Sequence, residues 1–324
     1  MNRAFLIFSV MAMGVTTLSF DAYAGVALAQ VRIKVVDQDG AVVPGARVWG
    51  GFTCGSRMND YVLVDGQTDT NGVFVAHGNC NEFLRVDVTK DGYYQTEDKI
   101  FFWRTTADPK VKDGKWQPYD ETRIVVLKRI QQPHDMIGTD RPPQRKIKIF
   151  DEWLGFDLGK GDFLPPVGDG RDADVLVRFR LSGKMPYDWS IGMDVSFTNY
   201  PYAGAYLLKK DGWSDMKSVY QADTNAHYLT ELSFHYTREK GNRHPIVEKL
   251  DKDEYLVFRT RTKVDCEGRL VSARYGKLYG PWHFEDAGGS QIHKVFLNEV
   301  DNDVNLEDQW TIDESKKYRL YCKL

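Results

Sequence analysis

Residues 31–50 read VRIKVVDQDGAVVPGARVWG, with apolar and charged side chains alternating up to a turn. Val31, Ile33 and Val35 alternate with Arg32 and Lys34. A period of two puts the branched apolar side chains on one side of a pleated strand and the cations on the other. Asp37-Gln38-Asp39-Gly40 then ends the strand, because glycine accepts the positive φ that a tight turn needs. Pro44-Gly45 supplies the two central residues that a type II turn prefers, and a second strand follows from Arg47 to Phe52. The stretch therefore predicts strand, turn, strand, with no helix.

Further along the chain the same pattern repeats. Tyr61 to Val64, Val73 to Ala76, Phe83 to Val88, Ile100 to Trp103 and Arg123 to Leu127 are predicted strands, and Asp69-Thr70-Asn71-Gly72 is a predicted hairpin turn. Short strands in this number and spacing suit an antiparallel sandwich over residues 30–130. Gln131 to Lys146 contains Pro133, Pro142 and Pro143 with little apolar content, and reads as an exposed connector. Residues 147–324 are again strand-rich. Val175, Val177, Phe179 and Leu181 alternate with polar neighbours, as do Leu256 and Phe258 against Arg259 and Arg261. Ile292 to Asn298 and Tyr318 to Leu324 are further strands, and Trp213 to Tyr220 is the short helix candidate. The expected fold is mainly β: two antiparallel β-sandwich-type domains, the second over residues 147–324, with little helix.

Upstream of Val31 lies an expected export signal. Asn2 and Arg3 give a positive start, Ala4 to Leu18 an apolar run, and Ala22-Tyr23-Ala24 the small residues a signal peptidase reads. The signal peptide is placed at residues 1–24, with cleavage before Gln30 as the alternative. No internal stretch reaches the roughly 18 apolar residues that span a bilayer, so no transmembrane segment is expected in the mature chain. The chain is expected to be exported, periplasmic or extracellular, at the bacterial envelope. Such a compartment is oxidising, which points the four cysteines, Cys54, Cys80, Cys266 and Cys322, to disulfides. Pairing of neighbours would keep each bridge within one domain; the other pairings stay open. No Cys-x-x-Cys is present to seed a zinc site. With 43 basic and 46 acidic residues, the chain lacks the basic excess of a nucleic-acid binder.

Val35, Asp37 and Gly40, then Pro44-Gly45-Ala46 with Val48, Thr68-Asp69 and Asn71-Gly72 with Phe74, Val86, Val88, Lys90, Gly92-Tyr93 and Leu127 follow in a set order. That order resembles the carboxypeptidase regulatory-like domains with their prealbumin-like sandwich. The resemblance implies an extracytoplasmic accessory or adhesive role and no catalysis. The chain departs from the family in the glycine-rich insertion from Phe52 to Asp60, which carries Cys54. In the second half, Gly155-Phe156-Asp157-Leu158 with Gly161-Asp162, Arg259-x-Arg261-x-Lys263 and Ser272-Ala273-x-Tyr275-Gly276-Lys277 are similar to a group of uncharacterised exported bacterial proteins. That likeness implies architecture only.

Catalytic signatures are sparse. There is no His-Glu-x-x-His, no histidine with glutamate at i+3, and no Gly-x-Ser-x-Gly elbow. Gly168-Asp169-Gly170-Arg171-Asp172-Ala173 matches a dinucleotide fingerprint in letters, but it precedes a strand where a helix is required. His227, Glu231 and His235 lie along one strand face, too far apart for one metal. Asp301, Asp303, Asn305, Glu307 and Asp308 cluster the oxygens calcium takes, but Leu306 stands where an EF-hand needs glycine and Ile312 where it needs glutamate. A solvated acidic turn, and no cofactor, is the expectation. The positive signal is aromatic. Phe197, Tyr200, Tyr202 and Tyr206 surround Pro201, and Tyr275, Tyr279 and Trp282 lie near Pro281. Rings beside turns can stack on sugars or anchor a protein partner. The expected function is binding or structural, with a glycan or an envelope protein as partner and Tyr200, Tyr202, Tyr206, Tyr279 and Trp282 as ligand-binding residues. The rival is a carbohydrate-active hydrolase with carboxylates among Asp172, Asp174, Glu285 and Asp286.

Overall fold

The computed structural model describes residues 26–55, 60–102, 111–140, 142–184, 188–198, 202–238, 246–248, 250–284 and 289–314. The expected signal peptide, Tyr200, Glu285, Asp286, Cys322 and the strand expected at Tyr318 to Leu324 lie outside them. In the first half the strands are β1 (Ala27–Asp37), β2 (Arg47–Thr53), β3 (Tyr61–Gln67), β4 (Val73–Cys80), β5 (Phe83–Thr89), β6 (Thr96–Phe101), β7 (Val111–Lys112), β8 (Lys115–Trp116) and β9 (Glu121–Leu127). They form sheet A, ordered β4-β1-β8-β7 with β9 also beside β1, and sheet B, ordered β3-β2-β5-β6. The alternation read at Val31, Ile33 and Val35 buries those side chains between the sheets, against Val48, Phe52, Leu84, Val86 and Leu127. The sandwich expected for this half is present.

Two details differ from the expectation. The turn at Asp69–Gly72 forms, with Asp69 Oδ1 accepting the Asn71 and Val73 N–H groups at 2.9 Å each. It is not a hairpin, because β3 pairs with β2 while β4 pairs with β1, so the turn carries the chain from one sheet to the other. The sandwich is also not wholly antiparallel. β9 runs parallel to β1 over the full register from Val31↔Glu121 to Asp37↔Leu127.

The second half contains β10 (Ile137–Thr139), β11 (Arg145–Lys146), β12 (Trp153–Asp157), β13 (Asp162–Phe163), β14 (Val175–Lys184), β15 (Asp188–Phe197), β16 (Gly204–Lys209), β17 (Glu231–Arg238), β18 (Ile246–Glu248), β19 (Glu254–Val264), β20 (Leu270–Phe284) and β21 (Gly289–Leu297). Sheet C runs β10-β21-β20-β19-β16, with β11 on β21; sheet D runs β13-β12-β14-β15-β17-β18. Phe156, Phe179, Trp189, Met193, Phe258, Leu278 and Trp282 fill the space between them. The other face of sheet C is covered too: Tyr255, Val257, Tyr275, Tyr279 and Phe296 pack beneath Ala222, Tyr228 and Leu306. The middle of sheet C is thus buried on both faces.

The expected connector is built into the second half. β10 and β11 both pair with β21, and the Glu307 carboxylate accepts the Gln131 and Gln132 N–H groups at 2.8 and 2.6 Å. The same carboxylate accepts the Tyr94 hydroxyl at 2.9 Å, so it ties the first half to the second. The helix expected at Trp213–Tyr220 is absent, because its backbone groups bond to the first half. Ser214 bridges to Thr96, the Glu97 N–H donates to the Trp213 carbonyl at 3.1 Å, and the Asp215 N–H donates to the Gln95 carbonyl at 2.9 Å. Residues 309–314 are helical instead. Tyr94, Met216 and Ile312 close the seam as a small apolar cluster.

Candidate functional site

The aromatic residues expected to take ligand divide by burial. Trp282 is 1% exposed and Tyr279 6%, and each lies in a core of sheet C, so neither presents a ring to solvent. This corrects the expectation for both: β20 is covered on its two faces, so a turn-adjacent proline did not mean an exposed ring. Tyr206 is half-buried edge-on to Tyr228 at 5.1 Å, and its hydroxyl accepts the Asp223 N–H at 2.9 Å. Tyr202 is half-buried and donates to the Gly268 carbonyl at 2.7 Å. The structure therefore does not gather these side chains into one site.

Nor do the two described acidic candidates, Asp172 and Asp174, make a reactive pair. Asp174 is buried, and its oxygens accept from the Leu158 N–H, the Thr260 hydroxyl and Arg261 at 3.0–3.1 Å. Asp172 is exposed and reaches the same guanidinium at 3.2 Å. Asp301 forms ion pairs with Arg274 at 2.9 Å and Lys263 at 3.1 Å, and these hold its carboxyl down at about 2. Asp303 accepts the Asn305 N–H at 3.0 Å, and Asn305 accepts the Glu307 N–H at 2.9 Å. A divalent cation at Asp301 would meet two resident cations, and among the described residues no His, Cys, Asp or Glu cluster is arranged to hold a metal. Cys54, Cys80 and Cys266 are unbonded thiols. Burial pushes the Cys80 thiol up to about 11.

One open face is the outer face of sheet D, which sequence reading missed. Its rows follow from the register. Trp153, Arg178, Asp194 and Ser233 stand side by side on β12, β14, β15 and β17. Beside them run Arg180, Gly192 and His235, then Ser182, Ser190 and Thr237. Trp153 is 42% exposed, with the Arg178 guanidinium 4.5 Å from its ring centre. Asp194 accepts from Arg180 at 2.7 Å, Ser233 at 3.0 Å and Arg178 at 3.1 Å. Burial works against its charge, but these donors outweigh it and hold the carboxyl below its ordinary range. Gly192, without a side chain, lets the Arg180 guanidinium lie across the sheet over its Cα, 3.4–3.7 Å from where a Cβ would stand. The arrangement is a polar array, braced from within, with an indole at its edge.

A second open face lies on sheet B. Leu63 is 80% exposed on the edge strand β3, with Tyr61 on the same strand and Phe101 on β6 also exposed. Lys99 sits 3.6 Å over the Phe83 ring, and Arg47–Asp65 and Arg85–Glu97 form ion pairs at 2.8 Å each.

No family model matches the chain, and no curated protein matches it. Among solved structures it is similar to 3-chlorocatechol 1,2-dioxygenase from Rhodococcus opacus, at 17% identity and a TM-score of 0.26 over 34% of this chain and 62% of that one. It is also similar to BcpA, the major pilin subunit of Bacillus cereus, at 10% identity and a TM-score of 0.22 over 84% of this chain and 96% of that one. A Bacteroides uniformis protein with a provisional carbohydrate-binding description matches at 9% identity and a TM-score of 0.18, over 84% and 99% of the two chains. Scores at this level carry no argument about fold or function.

Proposed function

We propose that this chain is an exported carbohydrate-binding protein of the bacterial envelope, and that ligand lies on the outer face of sheet D. The observation that carries the reading is the row Trp153, Arg178, Asp194 and Ser233, with Arg180 beside it. A pyranose offers an apolar C–H patch on one side of its ring and hydroxyl groups around its rim. An exposed indole takes the first, while guanidinium, carboxylate and hydroxyl groups fixed in advance take the second. Because Asp194 is held by three donors in the free protein, little ordering is left to be done on binding. The sequence resemblance of the first half to regulatory-like domains, and the segment expected as a signal peptide, support the location and the accessory role.

The test is binding of the intact protein to a panel of cell-wall and mucin-type glycans, followed by calorimetry on any hit. Trp153→Ala is expected to weaken binding about tenfold or more, with unchanged melting temperature. Loss of binding in neither Trp153→Ala nor Arg180→Ala would overturn the assignment to this face. A protein partner is the second reading, favoured by Leu63, Tyr61 and Phe101 on sheet B. Leu63→Lys would then abolish partner capture and leave glycan binding intact.

A further inference from the structure

The centre of sheet C holds a lysine that faces no solvent. Lys277 on β20 and Asp308, just before the 309–314 helix, are both 0% exposed at the side chain. Lys277 Nζ lies 2.6 Å from Asp308 Oδ2, and it also donates to the Leu306 carbonyl at 2.6 Å and the Ser218 hydroxyl at 3.3 Å. The rings of Tyr279 and Phe296 stand 5.6 and 5.7 Å from the nitrogen. On the other side of the carboxyl, Oδ1 accepts the Thr311 N–H at 2.7 Å, and the Thr311 side chain also bonds to Asp308. The amine therefore lies against one oxygen of the carboxyl group while the Thr311 N–H holds the other, and both side chains are shut off from solvent. Two desolvated charges held this way are costly, and a neutral amide would remove both.

We propose that Lys277 and Asp308 condense into an intramolecular amide that joins β20 to the segment leading into the 309–314 helix. The ammonium passes one proton to Oδ2 across the hydrogen bond, giving a neutral amine and a neutral acid. The amine attacks Cγ, and the negative charge that develops on Oδ1 is met by the Thr311 N–H, as in an oxyanion hole. The Cγ–Oδ2 bond breaks, and Oδ2 leaves as water with its own proton and one from the nitrogen. One C–N bond forms, one C–O bond breaks, one water is released, and no oxidant or reductant takes part. The neutral amine–acid pair is a minority state, but fixed contact raises the effective concentration of one group at the other to about 10⁵–10⁸ M. The remaining amide N–H keeps the Leu306 carbonyl as its acceptor.

Intact mass and peptide mapping of the purified full chain, after reduction and alkylation of its cysteines, decide the matter. The expected result is a protein lighter by one water, no tryptic cut after Lys277, and a branched peptide containing both residues. Lys277→Met and Asp308→Ala should have the full mass of their sequences. Asp308→Asn should form the same amide by releasing ammonia, so its product should match the wild-type mass. If Lys277→Met fails to fold, the wild-type peptide map still decides. Recovery of Lys277 and Asp308 in separate, unmodified wild-type peptides would overturn the proposal and leave an ion pair.

Discussion

Burial works against the Asp162 carboxylate, and so it does at Asp194, yet both are held below the ordinary carboxylate range. For Asp162 the winning contributions are Arg145 and the N–H groups of Asp169 and Phe163. A carboxyl whose folded value is depressed stabilises the fold above its unfolded value, and that stabilisation is lost as pH falls through the folded value. With unfolded aspartates near 4, and Asp301 reaching down to about 2, the melting temperature should fall steadily between about pH 4 and pH 2. Asp162→Asn should melt lower at neutral pH and show a shallower acid dependence; calorimetry across that range checks both. Gly50 gives a steric prediction. Its φ is +155°, and an added Cβ would stand 2.0 Å from the Arg85 carbonyl on the neighbouring strand β5. Gly50→Ala should therefore cost about 1–3 kcal/mol in chemical denaturation.

At the scale of elements, the alternation in β1, β5 and β14 was legible because one face of each strand meets a core and the other does not. β20 was not legible in the same way. Tyr279 and Trp282 lie on a strand packed on both faces, and no local pattern says that a polar-looking stretch with a proline lies in the middle of three layers. Trp153 carries no sequence signal at all: its exposure follows from which strand lies next to β12, a matter of long-range register. The end of the first sandwich makes a further prediction. Cys54 lies just past β2 and Cys80 ends β4, and the two chain segments touch through the Asn81 N–H to Thr53 carbonyl bond at 2.8 Å and the Asn81 Nδ2 to Gly55 carbonyl bond at 2.9 Å. Oxidation should join these thiols across the two sheets. Non-reducing peptide mapping should find the bridge, and reduction should lower stability by about 3 kcal/mol. A map that finds Cys80 free in the oxidised protein would remove this expectation.

For the whole molecule, the seam outweighs the domain boundary that the prolines suggested. Glu307 binds the connector and Tyr94 together, and Met216 is fully buried between Tyr94 and Ile312. The two halves should therefore unfold in one calorimetric transition. Met216→Asp, which places an unpaired charge in that cluster, should split the transition in two; a single transition in the variant would show that this apolar cluster is not what couples the halves. Pro133, Pro142 and Pro143 lie in a stretch poor in apolar residues, and its partners lie more than a hundred residues away in β21 and around Glu307.

The parallel pairing of β1 with β9 has a mechanical consequence. Ala27 opens β1 and Leu127 closes β9, so tension applied between them pulls the two neighbours lengthwise past each other. Their ladder from Val31 to Asp37 is then loaded all together, in shear, whereas a hairpin pulled at its open end parts one rung at a time. A tether drawn through this sandwich should yield at high force in a single event, as single-molecule stretching between positions 27 and 127 would record.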